Sequence, residues 1–183
     1  MRRVLLISFL CFLAIVMCGC KKAQLRRQMK ELMSSTIVLP ERIICVYNGE
    51  VLTMSDSVRD KPKLIVYIDS TECTTCRISN FWEYQPVFDL SVQTGMFEVV
   101  LLMCNTEFNT IPLVEYLSNQ NNRMPIYVDE MRSFLLDNPC IPQDRRMHSF
   151  LVDAFGHPVF VGDPSVSGKM MSAFKKALGI RTF

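Results

Sequence analysis

A surplus of either charge is what this chain most obviously lacks. Lys and Arg number 20 against 18 Asp and Glu, and the difference equals Arg2 plus Arg3. Without residues 1–19 the balance is even, so the composition gives no reason to expect nucleic acid as a partner. Histidine is nearly missing too, with only His148 and His157 present. A single Cys-X-X-Cys occurs, at Cys73 and Cys76, and no second one completes a four-thiolate zinc site. No internal repeat or low-complexity tract is visible, which argues against a solenoid. No apolar run reaches the roughly 20 residues that a membrane-spanning helix needs. Of the eight cysteines, three lie in the first 20 residues. The other five, Cys45, Cys73, Cys76, Cys104 and Cys140, are an odd number, which excludes a fully paired framework. One working pair among several buried thiols fits better. At 183 residues the chain has room for one domain with a real core.

What is present begins with an address. Met1-Arg2-Arg3 is followed by an apolar run from Val4 to Met17, interrupted only by Ser8. These are the basic and apolar regions of a secretory signal. The run ends in Met17-Cys18-Gly19-Cys20, then Lys21-Lys22. That ending resembles a bacterial lipobox, whose modified cysteine follows a small residue. Gly19 before Cys20 obeys the rule, so the resemblance implies a signal peptide over residues 1–19 and lipid on Cys20. The rest of the chain is then expected in the bacterial cell envelope, extracytoplasmic and held at a membrane, where disulfides can persist.

Residues 20–36 read as a basic tether. Leu25, Met29, Leu32 and Met33 recur at helical spacing among Lys and Arg. Such a segment either lies on anionic lipid or forms a solvated helical spacer packing weakly on the domain. Residues 37–183 read as the domain. Short strands are expected over 37–39 and 43–47, with the Asn48-Gly49 turn leading to a paired strand over 51–54. The nearly continuous apolar run 63–69 suits a strand buried on both faces of a parallel sheet. A helix is expected over 74–93, with Ile78, Phe81, Trp82, Val87, Phe88 and Leu90 as its apolar positions and Pro86 kinking or ending it. A second buried strand (97–104), a short helix (111–119), a short strand (124–128), a hairpin (149–153 with 158–162) and a closing helix (169–178) stopped by Gly179 complete the order. Strands separated by helices imply a parallel unit, to which the hairpin adds an antiparallel edge.

The sharpest chemical feature is Asp69-Ser70-Thr71-Glu72-Cys73-Thr74-Thr75-Cys76-Arg77. A strand before such a pair and a helix after it is the setting that redox chemistry needs. Unpaired amides at a helix start favour a thiolate, and a lowered pKa makes Cys73 the better nucleophile. Cys76 can then attack the mixed disulfide and release the partner. Half of a metal site, or an inert structural pair, would show the same spacing.

With these motifs in view, residues 37–178 resemble the thioredoxin superfamily, in particular its membrane-tethered bacterial thiol-disulfide oxidoreductases. The resemblance rests on KLIVYID, the Cys73-Thr-Thr-Cys76-Arg77 motif and the hairpin SFLVDAFGHPVFVG. It implies a three-layer α/β/α sandwich with a mixed central sheet. It implies an attacking Cys73, a resolving Cys76, and docking of partners around Thr74, Thr75 and Met147. Partners would be exported protein thiols or a membrane electron donor, with no organic cofactor. The chain departs from the family pattern at three places. Met147 stands where the family carries a cis-proline, Pro142 being too far back. Tyr67 replaces a buried acid, and Thr74-Thr75 replaces Gly-Pro.

His148 lies one residue past the position expected to face the cysteines. It is either a surface histidine at a strand start or a ligand. The stretch from His148 to Asp153 is similar to Sco-type copper proteins, which implies the alternative of copper held by Cys73, Cys76 and His148. His157 reads as a turn residue, Cys45 and Cys104 as small core residues, and Trp82 as core. Cys140, in a loop, could be an additional resolving thiol.

Overall fold

The computed structural model describes residues 22–69, 74–104, 110–120 and 122–180. Residues 22–33 form helix α1. Strands β1 (Ile43–Tyr47) and β2 (Glu50–Thr53) follow as a hairpin. Its turn uses Asn48 and Gly49 at φ 51° and 80°, the paired left-handed conformations that match the twist of two strands. After a single turn of helix, α2 (Asp56–Arg59), comes β3 (Lys63–Ile68), every residue of which is buried. The expected long helix is instead three pieces: α3 (Thr74–Ser79), a 3-10 turn (Phe81–Tyr84) and α4 (Gln85–Thr94). Pro86 sits in the first turn of α4, where its missing N–H costs nothing. It therefore starts a helix rather than kinking one.

Strand β4 (Glu98–Met103), helix α5 (Thr110–Ser118), β5 (Ile126–Asp129) and a helical turn α6 (Phe134–Asp137) come next. A 3-10 turn (Arg145–Met147) leads into β6 (Ser149–Val152), β7 (Pro158–Val161) and α7 (Gly168–Ala177). Ser167 caps α7 by accepting from the Met170 amide. At its other end Gly179 adopts φ 75° and the Ile180 amide donates to the Lys175 carbonyl, a helix stop of the kind glycine permits.

The seven described strands join one sheet in the order β2-β1-β5-β4-β3-β6-β7. β3, β4 and β5 run parallel, in register Leu64 with Val99 and Leu101 with Ile126. β6 runs antiparallel to β3 and pairs Leu64 with Leu151. Alternation along the strands divides the core in two. Leu64, Val66 and Ile68 face α4, α5 and α7 through Val87, Leu113, Leu117 and Phe174. Ile65 and Tyr67 face Leu32 of α1, Phe134 of α6 and the loop residues Ile37, Ile141 and Met147. Phe174 fixes the first layer by edge contacts to Phe97 and Phe160, with ring centroids 5.1 and 5.7 Å away.

Two sequence expectations need correction. Residues 37–39 join no sheet, because other groups take their hydrogen bonds. The Ile37 amide donates to the Gly156 carbonyl, and the Asn138 side chain brackets Val38 by accepting from its amide and donating to its carbonyl. Trp82 is exposed, and Phe81 and Tyr84 are buried in its place, since the 3-10 turn rotates the side chains out of the α-helical sequence. Among the described residues no helix is long and apolar enough to cross a membrane. Helix α1 lies against the domain, with Leu32 fully buried.

Candidate active site at the end of β3

The parallel strands finish together, so Asp69, Cys104 and Asp129 crowd one end of the sheet, and β6 starts there with His148 just ahead of it. The Cys104 amide donates to the Ile68 carbonyl, and the Tyr67 amide to the His148 carbonyl. Chain ends at the carboxyl edge of parallel strands are where open α/β sheets place ligands and chemistry.

Helix α3 begins at this end and carries Cys76, which is exposed and disulfide-bonded. The sulfur it is bonded to lies outside the described residues, as do Cys73 and Cys20. Cys45, Cys104 and Cys140 are free. Cys45 is buried in β1 and shares a hydrogen bond with Tyr127 on the neighbouring strand. Cys140 is half-buried in the turn after α6. Cys104 is half-buried rather than core. Burial pushes its thiol up, the Asp129 carboxylate adds to this, and a hydrogen bond with the Tyr67 hydroxyl opposes it.

His148 is not a surface histidine. It is 4% exposed, its ring lying edge-on to Tyr67 at 5.4 Å between centroids. Its Nε2 lies 2.9 Å from the carbonyl oxygen of Pro142. A carbonyl only accepts, so Nε2 carries a hydrogen and the neutral ring keeps its lone pair on Nδ1. Nδ1 is buried without a hydrogen-bond partner, 4.0 Å from Asp69 Oδ2. Pro142, dismissed in the sequence as too distant, thus enters the site through its carbonyl. Met147 is 1% exposed and packs with Tyr67 and Phe150. Its side chain belongs to the core and not to the surface. Thr74 and Thr75 open α3.

Two cavities meet at His148. One, of about 320 Å³, runs under α3 and is lined by Tyr67, Arg77, Tyr84, Ser149 and Asp163. The other, of about 470 Å³, is lined by Asp69, Leu135, Pro142 and Arg145. In the first, the Tyr84 hydroxyl donates to Asp163 Oδ2 at 2.6 Å, and the other Asp163 oxygen accepts from Ser165. Burial and the Asp163 charge push the Tyr84 phenol up, so it stays protonated. The copper set expected from the sequence includes Cys73, which lies outside the described residues. Among them no group of three His, Cys, Asp or Glu side chains is placed to hold a metal. The one uncommitted nitrogen of His148 faces a hard carboxylate, a pairing that suits a proton better than soft Cu(I). Asp69 was named with the cysteine motif, whereas sequence reasoning missed Asp129 and Ser149 as members of this end. The only signal for them was their position at strand ends.

A strand, a helix on one face and a parallel strand are followed by an antiparallel hairpin and a last helix on the same face, in the order β4-β3-β6-β7. The fold is thioredoxin-like. No protein-family model matches the chain, and no curated protein matches it. Solved structures do. One from Chlorobium tepidum, described as a thiol:disulfide interchange protein DsbE, is 18% identical, with a TM-score of 0.49 over 79% of this chain and 99% of that one. A thioredoxin-like protein from Porphyromonas gingivalis is 16% identical, with a TM-score of 0.45 over 80% and 94%. A thiol:disulfide interchange protein from Bacteroides sp. is 14% identical, with a TM-score of 0.47 over 80% and 91%. The strand order and connections by themselves define the fold.

Proposed function

We propose that this chain is a thiol-disulfide oxidoreductase of the bacterial cell envelope. Cys73 attacks a partner disulfide and Cys76 resolves the mixed disulfide, so that Cys73 and Cys76 end joined and the partner leaves as a dithiol. The reverse sequence oxidises a partner. The observation that carries this is Cys76. It is an exposed, disulfide-bonded cysteine in a short helix that follows a fully buried central strand. Cys73 is the partner sulfur that the motif spacing offers. Thr74, Thr75 and the loop around Met147 shape docking, and exported protein thiols or a membrane electron donor supply the other half of the reaction. Lipid on Cys20 holds the domain at the membrane after removal of residues 1–19.

A redox titration of the full chain, read by mass after thiol alkylation, should show one reversible two-electron couple assigned to Cys73 and Cys76. The protein should also catalyse insulin reduction by dithiothreitol. A chain that forms no reversible disulfide, or a Cys73→Ser variant as active as wild type, overturns the assignment. Copper held by Cys73, Cys76 and His148 makes the opposite demand. It requires stoichiometric Cu(I) binding that His148→Ala abolishes. Metabolic labelling with palmitate, lost in Cys20→Ala, tests the anchor.

A further inference from the structure

We infer that the outer face of helix α1 docks on anionic phospholipid and so sets how the domain lies on the bilayer. The inference takes from the proposed function only the lipid on Cys20, and adds to it a second, electrostatic contact.

Helix α1 has two faces with different roles. Leu25 and Leu32, two turns apart, pack against the core layer that contains Ile65 and Tyr67, so the helix axis runs along the sheet. The outer face carries Lys22, Arg26, Arg27 and Lys30, all exposed, and Glu31 is the only acid in residues 22–33. Among the described residues none of these four cations has a hydrogen bond or ion pair through its side chain. Lys22, Arg26 and Lys30 follow at four-residue spacing and form a single row. Like charges so placed weaken a helix, so helix stability does not account for the row. Met29 and Met33, also exposed, flank it. Long cationic stems beside apolar side chains suit the boundary between headgroups and acyl chains.

Charge elsewhere decides which face meets the lipid. Residues 34–183 carry 13 Lys and Arg against 17 Asp and Glu. The body of the domain is therefore repelled by an anionic surface that attracts α1. Each basic side chain near such a surface strengthens binding about fivefold, within a Debye length of about 10 Å. Cys20 lies two positions before Lys22, at most about 7 Å of chain, so an acyl chain there delivers α1 inside that distance. Helix α7 is the rival basic surface, with Lys169, Lys175 and Lys176, but it packs on the opposite face of the sheet through Phe174. With α1 against lipid the sheet lies along the bilayer, and the end where α3 begins opens sideways over the membrane.

The full chain, matured in a bacterial host, can be reconstituted on two kinds of vesicle. One is phosphatidylcholine alone, and the other is phosphatidylcholine and phosphatidylglycerol in equal parts. Lysine acetylation is then followed by peptide mass. On the anionic vesicles Lys22 and Lys30 should react about tenfold more slowly than on the neutral ones, as the multiplied attraction of several cations implies. Lys169 and Lys176 should be unchanged. In Arg26→Gln/Arg27→Gln both reporter lysines remain, and most of the lost rate should return. It should return as well at about 1 M salt, where the Debye length falls to about 3 Å. Equal labelling on the two kinds of vesicle overturns the inference and leaves the exchange reaction intact. So does equal slowing of Lys169 and Lys176, or a double variant as protected as wild type. Flotation separates the inference from the anchor. A chain that floats with anionic vesicles but not with neutral ones, and shows the protection of α1, keeps the inference and removes the lipid on Cys20. One that floats with neither removes both.

Discussion

Strand β3 meets a buried charge at each end, and the two ends are treated differently. At its start Lys63 is 3% exposed, its ammonium donates to the Arg59 carbonyl at 2.9 Å, and Asp60 and Asp153 lie near enough to favour its charge. At its finish three buried side-chain atoms, Asp129 Oδ1, His148 Nδ1 and Ser149 Oγ, have no hydrogen-bond partner. Native proteins pair buried polar groups almost without exception. A satisfied end reads as architecture, and an end with spare capacity reads as chemistry. The same strand thus supplies both its own control and its own test.

Substitutions can break that contrast, beginning with the largest effect. Cys76→Ser should reduce insulin turnover to the uncatalysed level without lowering the melting temperature of the reduced protein. Comparable turnover by that variant would remove the working end altogether. Phe174→Ala, fully buried against Phe97 at the level of the start of β3, should cost about 3–5 kcal/mol in urea unfolding and leave the exchange rate of the folded fraction unchanged.

Tyr67→Phe should be milder. Burial raises both the Tyr67 phenol and the Cys104 thiol above their ordinary values of 10.0 and 9.0. The folded chain therefore holds these protons more tightly than the unfolded one. Stability is complete below the ordinary thiol value and falls as pH rises beyond it. Circular dichroism against pH should show a shallower alkaline loss in Tyr67→Phe, together with about 0.5–1.5 kcal/mol lost at neutral pH from the missing hydrogen bond to Cys104. An alkaline limb as steep as wild type would show that Tyr67 does not contribute to it.

Lys63→Met should be the smallest. Burial lowers the Lys63 pKa, so the unfolded chain binds that proton more tightly and stability falls as pH drops below the ordinary lysine value. Removing the charge should therefore leave neutral-pH stability unchanged or raise it by up to about 1 kcal/mol, with activity intact. A loss of activity there would erase the distinction between the ends.

The central strands were legible because burial on both faces leaves runs such as LIVYI and VVLLM that few other structures tolerate. The hairpin at Asn48-Gly49 and the stop at Gly179 were legible because each needs a backbone conformation that few residues adopt. Trp82 was misjudged because helical periodicity assumes 3.6 residues per turn, and the 3-10 segment does not keep it. His148 was misjudged for a different reason. Its surroundings include a carbonyl six positions earlier and a carboxylate just past the end of β3, and neither relation has a local signature. Strand β5 was expected as a strand, but its pairing with β1 on one side and β4 on the other is a long-range choice that periodicity does not carry.

Helix α1 has a mechanical meaning. It is described from residue 22 and inserts Leu32 into the core, and its 12 described residues span only about 18 Å at 1.5 Å each. With acyl chains on Cys20, as proposed, almost no slack separates bilayer from domain. The molecule would ride on the membrane like a fixed mast rather than a kite on a string. Its reach would extend only to partners that come to that surface, and lengthening the junction would widen that circle at the expense of local encounter frequency.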